Sequence, residues 1–95
     1  MVTLHIEHAI SDFDTWKQAF DRFAGMRHDS GVLRHRIHRP SDDPRYVLIQ
    51  LDFGTSDEAI TFRDLLTTRV WSTPANAPAL IGTPQTRILE LIEQS

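Results

Sequence analysis

The 95 residues predict an α+β domain in which two helices cover one face of a four-stranded antiparallel sheet, in the order strand, helix, strand, strand, helix, strand. Three observations carry this expectation. Three stretches alternate apolar with polar residues and a fourth near the carboxyl end reads as a strand, two intervening stretches repeat their apolar residues every three or four positions, and each of those two opens on a capping sequence. A chain of this length makes one domain, residues 1–95, and buries roughly two thirds of the surface that its unfolded form exposes, so a partner subunit would add usefully to its core.

Val2 to Ala9 places Val2, Leu4, Ile6 and His8 on one side and Thr3, His5, Glu7 and Ala9 on the other, the period of a half-buried strand. Ser11 and Asp12 then supply capping oxygens, and Asp14 falls in the first turn, where the helix dipole favours negative charge. Phe13, Trp16, Ala19, Phe20, Phe23 and Met26 follow at helical spacing; burying each large side chain is worth about 1.5–3 kcal/mol, so this stripe is core. Asp29-Ser30-Gly31 is a turn, after which Val32 to Arg39 alternates with Leu33, His35 and Ile37 on one face.

Pro40 to Pro44 is a proline-bounded connection into a third strand, Tyr46 to Phe53, whose apolar face carries Val47, Ile49, Leu51 and Phe53. A register of Ile37 against Val47 and His35 against Ile49 sets the apolar residues of both strands on one side. Thr55-Ser56-Asp57-Glu58 is a capping box, with Ala59, Phe62, Leu66 and Val70 at helical spacing behind it. From Ser72 to Gln85 three prolines and Gly82 interrupt the pattern, giving a long connection of the kind that often forms a lid. Thr86 to Ile92 is the last strand.

This order is the ferredoxin-like βαββαβ arrangement. The face away from the helices carries Leu48, Leu89 and Leu91 among polar residues and is most simply covered by a second copy of the chain, which makes a homodimer the expected state.

The pattern His8-x-Ile10-x-Asp12-Phe13-Asp14-x-Trp16, then Arg39-x-x-x-Asp43-Pro44, then a strand ending in Phe53 with Ala59 and Phe62 on the next helix, resembles the dimeric α+β barrel superfamily that includes the antibiotic biosynthesis monooxygenases and small cyclase-like proteins. The resemblance spans essentially the whole chain. It implies a dimeric α+β barrel and a cofactor-independent monooxygenase or cyclase acting on an aromatic or polyketide-like metabolite. Haem-degrading relatives use an Asn, His and Trp set, and the polyketide-quinone oxygenases an Asn, Trp, Tyr and Arg set. The only asparagine here is Asn76, in the proline-rich segment, which matches neither well.

Composition narrows the chemistry further. With 40% hydrophobic and 24% charged residues and no apolar run near the ~20 residues of a membrane span, the chain is expected to be soluble, with no membrane partner. An amino terminus without signal-peptide features, together with the lack of cysteine, makes the cytoplasm the expected compartment. Lack of cysteine also removes thiolate nucleophiles and iron–sulfur clusters. His5 with His8, and His35 with His38, are three apart and so lie on opposite sheet faces, while His8 and His35 are separated by the third strand; no metal is expected, and no motif for flavin or haem is present, so no cofactor is expected. Arg34 to Arg39 is basic, but the net charge is -3 and the third strand offers one aromatic, Tyr46, where an RNA-binding sheet has several, so no nucleic-acid partner is expected.

What remains is a site at one end of the domain. His8, at the joint between first strand and first helix, is the one proton acceptor suited to neutral pH, and the candidate catalytic residue. Ile6, Trp16, Phe20 and Ile49 are expected as apolar walls of a pocket for a small apolar or aromatic molecule, with Arg39, Tyr46, Val70 and Trp71 gathered near its mouth and residues 72–85 above it. Two alternatives stand beside this: His8 as a buried ring satisfied by a carbonyl, Ser11 or Asp12, and the whole chain as a non-catalytic ligand-binding or structural barrel in which Trp71 and the prolines plug the core.

Overall fold

A computed structural model describes all 95 residues. Its sheet has the order β2-β3-β1-β4 and is antiparallel throughout, from β1 (Val2–Ile10), β2 (Arg34–His38), β3 (Tyr46–Phe53) and β4 (Leu80–Glu90). Helices α1 (Phe13–Arg22), α2 (Ala24–Asp29) and α3 (Ser56–Leu65) lie on one face, the last continued by a π-helical turn, Leu66–Val70. This is the ferredoxin-like α+β fold. No helix is long and apolar enough to cross a membrane.

The strand β1 is buried at every second residue, from Val2 through Leu4, Ile6 and His8 to Ile10, because it runs through the middle of the sheet under the helices. Val2, Leu4, Ile6 and Ile10 join Val47, Ile49, Leu51 and Phe53 of β3, Trp16 of α1, and Ala59, Phe62, Leu66 and Val70 of α3 and its π-helical turn in one core. Asp12 caps α1, its carboxylate accepting from the Thr15 amide at 2.9 Å, and Thr55 caps α3 by accepting from the Glu58 amide at 3.2 Å.

Four boundaries depart from the sequence expectation. The first helix breaks at Phe23, whose backbone (φ -97°, ψ 16°) leaves the helical region, so the aromatic stripe is carried by α1 and α2 together. The hairpin register is shifted by two residues, with Ile37 opposite Ile49 and His35 opposite Leu51. The side of each residue is unchanged, and the shift arises because residues 39–45 all serve the connection: Asp43 N–H donates to the Pro40 carbonyl at 3.2 Å, and Arg45 N–H to the Asp43 carboxylate at 2.9 Å.

The second helical stretch changes character at Leu66, where Trp71 N–H reaches five residues back to the Leu66 carbonyl at 2.8 Å. Finally, β4 begins at Leu80 rather than Thr86, so the connection once expected over 72–85 ends at residue 79. Gly82, with φ +74°, and Pro84, which needs no ladder hydrogen bond, sit in a bulge between the Glu7–Gln85 and Ala9–Ile81 pairs, and that is how a strand tolerates both residues.

Candidate functional site

The bulge in β4 lies opposite His8. On its other side His8 pairs with Val47, but the irregularity deprives it of a regular partner on β4. The ring points to the helix side, as its place in the Val2-Leu4-Ile6 series requires, and the residue is only 5% exposed. Its Nδ1 lies 3.0 Å from the Ala9 carbonyl oxygen, an atom that can only accept, so Nδ1 carries the proton in the neutral ring. Nε2 is then a bare acceptor. It makes no hydrogen bond within the chain, yet no buried side-chain nitrogen or oxygen is left without a partner, so Nε2 belongs to the small accessible part of the residue. Burial lowers the His8 pKa from 6.5, and the Ala9 carbonyl offsets this only in part, so the ring is neutral at pH 7.

A cavity of about 70 Å³ opens between the sheet and the helical layer. Ile6 and Ile49 form its floor, Trp16 and Phe20 one wall, Leu66, Val70 and Trp71 another, and residues 76–80 its roof. Fifteen of its nineteen lining residues are hydrophobic; the polar exceptions are His8, Arg27 and Asn76. Both tryptophans of the chain are part of the wall. His8 meets the edge of Trp16 at 6.3 Å between centroids, and Trp16 is tilted against Phe20 at 5.1 Å, so the aromatic stripe forms a continuous row that starts at the histidine.

The roof is held at both ends. Ser11 N–H donates to the Ala79 carbonyl at 2.9 Å, tying the segment to the β1–α1 joint, and the Asn76 side-chain amide donates to the Arg69 carbonyl at 2.8 Å, tying it to the π-helical turn. Turns at Asn76 and Ala77, both donating to the Thr73 carbonyl, keep the segment folded on itself.

Of the residues named from sequence, His8, Ile6, Trp16, Phe20, Ile49, Val70 and Trp71 all line this cavity. Arg39 and Tyr46 do not. Arg39 lies on the surface with its guanidinium over the Phe13 ring, 4.7 Å from the centroid. Tyr46 is on the opposite sheet face, because it shares its parity with Leu48 and Gln50, and there its hydroxyl donates to Glu7 at 2.8 Å, a bond that raises the tyrosine pKa. Arg27 was missed, although Phe20, Phe23 and Arg27 fall on one helical stripe.

The opposite face carries a hydrogen-bonded network. Glu7 accepts from Tyr46 and pairs with His5 Nε2 at 2.8 Å; Arg36 reaches both Gln50 and Asp52; and Asp52 also accepts from Arg34 Nε at 2.8 Å and from the Thr3 hydroxyl at 2.7 Å. The basic run of β2 is therefore largely engaged by one buried carboxylate, whose pKa those hydrogen bonds, that to Arg36 foremost, hold well below the usual carboxylate range.

Fold and site together define a ferredoxin-like pocket protein with an apolar cavity between sheet and helices. No protein-family model matches the sequence, and no curated protein is detectably similar to it. Solved structures are. The chain is similar to SnoaB, a cofactor-independent oxygenase from Streptomyces nogalater (TM-score 0.72, 18% identity, covering 98% of this chain and 94% of that one). It is similar to the ActVA-Orf6 monooxygenase of Streptomyces coelicolor, whose structure holds nanaomycin D (TM-score 0.63, 15% identity, covering 99% and 92%). It also resembles a dimeric ferredoxin-like protein from an uncultured marine organism (TM-score 0.63, 5% identity, covering 100% and 98%). The fold is thus that of the antibiotic biosynthesis monooxygenase structures; at these identities the likeness speaks for the fold alone.

Proposed function

We propose that this chain is a homodimeric pocket protein that oxidises a flat aromatic, polyketide-like metabolite with dioxygen, without a cofactor. The observation that carries the reading is the bare, accessible Nε2 of His8 in an apolar cavity walled by Trp16 and Trp71. An oxygenase of this kind draws its electrons from the substrate, so the protein must make a carbon acid give up a proton. A neutral imidazole held by a carbonyl at Nδ1 suits that step. For an anthrone-like substrate, Nε2 removes a proton from the ring methylene and the carbanion reduces dioxygen to a bound hydroperoxide. The proton taken up by Nε2 returns to the peroxide, and removal of the second methylene proton then expels hydroxide from the O–O bond; proton and hydroxide leave together as one water and a carbonyl remains, so that one oxygen atom enters the product and the other leaves as water. The apolar wall supports this by keeping bulk water from the carbanion.

Dimerisation is proposed for the face without helices, where Leu48, Ile81 and Leu89 surround the Glu7–Tyr46 and Asp52–Arg36 network and Ile81 is 50% exposed. The solved structure of this fold that is described as dimeric supports a dimer.

Oxygen uptake with anthrone as probe tests the reading. The wild-type chain is expected to consume one dioxygen per anthrone above the buffer rate, and His8→Ala to fall to that rate while still binding the probe. One observation favours a second reading, of a non-catalytic barrel that takes a small ligand or none: the cavity of about 70 Å³ is about half the ~150 Å³ of an apolar cavity that takes up benzene, so in this form it is smaller than a fused ring system. Under that reading the wild type consumes no oxygen above buffer.

A further inference from the structure

The second polar group of the cavity is a cation. Arg27, on the short helix α2, is only 7% exposed, and no carboxylate pairs with it. The central carbon of its guanidinium lies over the Phe20 ring, 3.7 Å from the centroid, and NH1 donates to the Phe20 carbonyl at 2.6 Å. That bond closes the exposed carboxyl end of α1, where a cation is favoured by the helix dipole, and the break at Phe23 is what lets the side chain reach back to it. It uses one of five N–H donors. The rest have no partner in the chain, yet they are not sealed off, since no buried polar side-chain atom is left unpartnered.

A buried guanidinium with free donors in an otherwise apolar cavity is costly unless an anion completes it. The aromatic row links two of the three polar groups: His8 packs on Trp16, Trp16 on Phe20, and Phe20 under Arg27. The contact with Phe20 and the bond from NH1 hold the guanidinium in place and leave it donors for a two-oxygen acceptor.

Resting on the pocket reading above, we propose that the ligand is an aromatic carboxylate, its ring system lying along Trp16 and Phe20, its carboxylate held by Arg27, and its reacting carbon at the His8 end. Arg27 is then the residue that sets specificity, and the roof over residues 76–80 is displaced when the ring enters.

Calorimetric titration with a naphthoate and the naphthamide of the same substitution pattern separates this inference from the pocket reading. Binding of the amide tests the pocket; the difference between acid and amide tests Arg27. Wild-type protein is expected to bind the acid at least about tenfold more tightly than the amide, as a charge-assisted hydrogen-bond pair provides. Arg27→Met is expected to bind acid and amide equally, and Arg27→Lys to keep part of the preference. Equal affinity in the wild type, or a preference that survives Arg27→Met, overturns the inference and leaves the pocket standing; binding of neither probe overturns both. Should Arg27→Met fail to fold, the Arg27 Nε–H resonance of the wild type gives the answer: it is expected to shift with the acid and not with the amide, and a resonance that stays put with both overturns the inference.

Discussion

His8 refuses a proton in the folded chain that it accepts in the unfolded one, and the consequence for stability has a definite sign. Its pKa is lowered by burial, so unfolding takes up a proton between the ordinary value of 6.5 and the lowered one. Stability from this group is complete above about pH 6.5 and is lost as pH falls towards the folded value. His35, lowered by burial and by the nearby Arg27 and Lys17, acts in the same direction. The carboxylates of Glu7, Asp12 and Asp52 are lowered too, but from ordinary values of 4.5 and 3.8, so their losses come only in stronger acid. Urea midpoints measured from pH 7.5 to 5 are therefore expected to fall for the wild type, and to fall less steeply for His8→Gln. Asp52 is the other residue on which much depends. Removing it strips Thr3, Arg34 and Arg36 of a shared acceptor, and Asp52→Ala is expected to cost about 2–3 kcal/mol in urea unfolding, given that the two arginines can turn to water.

Turns and joints decide what the elements can do. Gly31, between α2 and β2, has φ +93°, and a Cβ there would lie 2.4 Å from the Glu58 carboxylate that helps to cap α3. Gly31→Ala is expected to destabilise by about 1–2 kcal/mol from the backbone conformation alone, read as a lowered urea midpoint; a change within 0.5 kcal/mol would show that the turn is not held as described. This element was legible in Asp29-Ser30-Gly31, as were both caps and the alternation of β1 and β3, because each is a local preference written in consecutive residues. The early start of β4 was not legible. Gly82 and Pro84 discourage a strand locally, and only pairing with β1, sixty and more residues away in sequence, overrides them at Leu80 and Ile81. The same limit hid the site's shape. Periodicity placed His8, Ile6 and Ile49 on the helix side, but Tyr46 was set beside them by closeness to a sheet end, although its own parity puts it on the other face. Arg27 went unnoticed because a charged residue in an apolar stripe reads as surface until the break at Phe23 is known.

At the scale of the whole molecule, the sheet is covered on one face only, and the uncovered face combines exposed Ile81 and Leu89 with a fixed polar network. A homodimer through that face is expected in sedimentation at micromolar concentration, and Leu89→Glu together with Ile81→Lys is expected to shift the population towards monomer. A wild-type monomer of 10.9 kDa at such concentrations would contradict the barrel. The oxygenase reading and the carboxylate inference both rest on a claim that comes before either, namely that the space between sheet and helices receives a flat ring. The chain has only two tryptophans and both wall that space, so fluorine NMR of protein carrying fluorotryptophan, titrated with anthrone, observes the claim directly. Two resonances are expected, both moving and both saturating at one anthrone per chain. Resonances that do not move, or that drift in proportion to added anthrone without saturating, would contradict it.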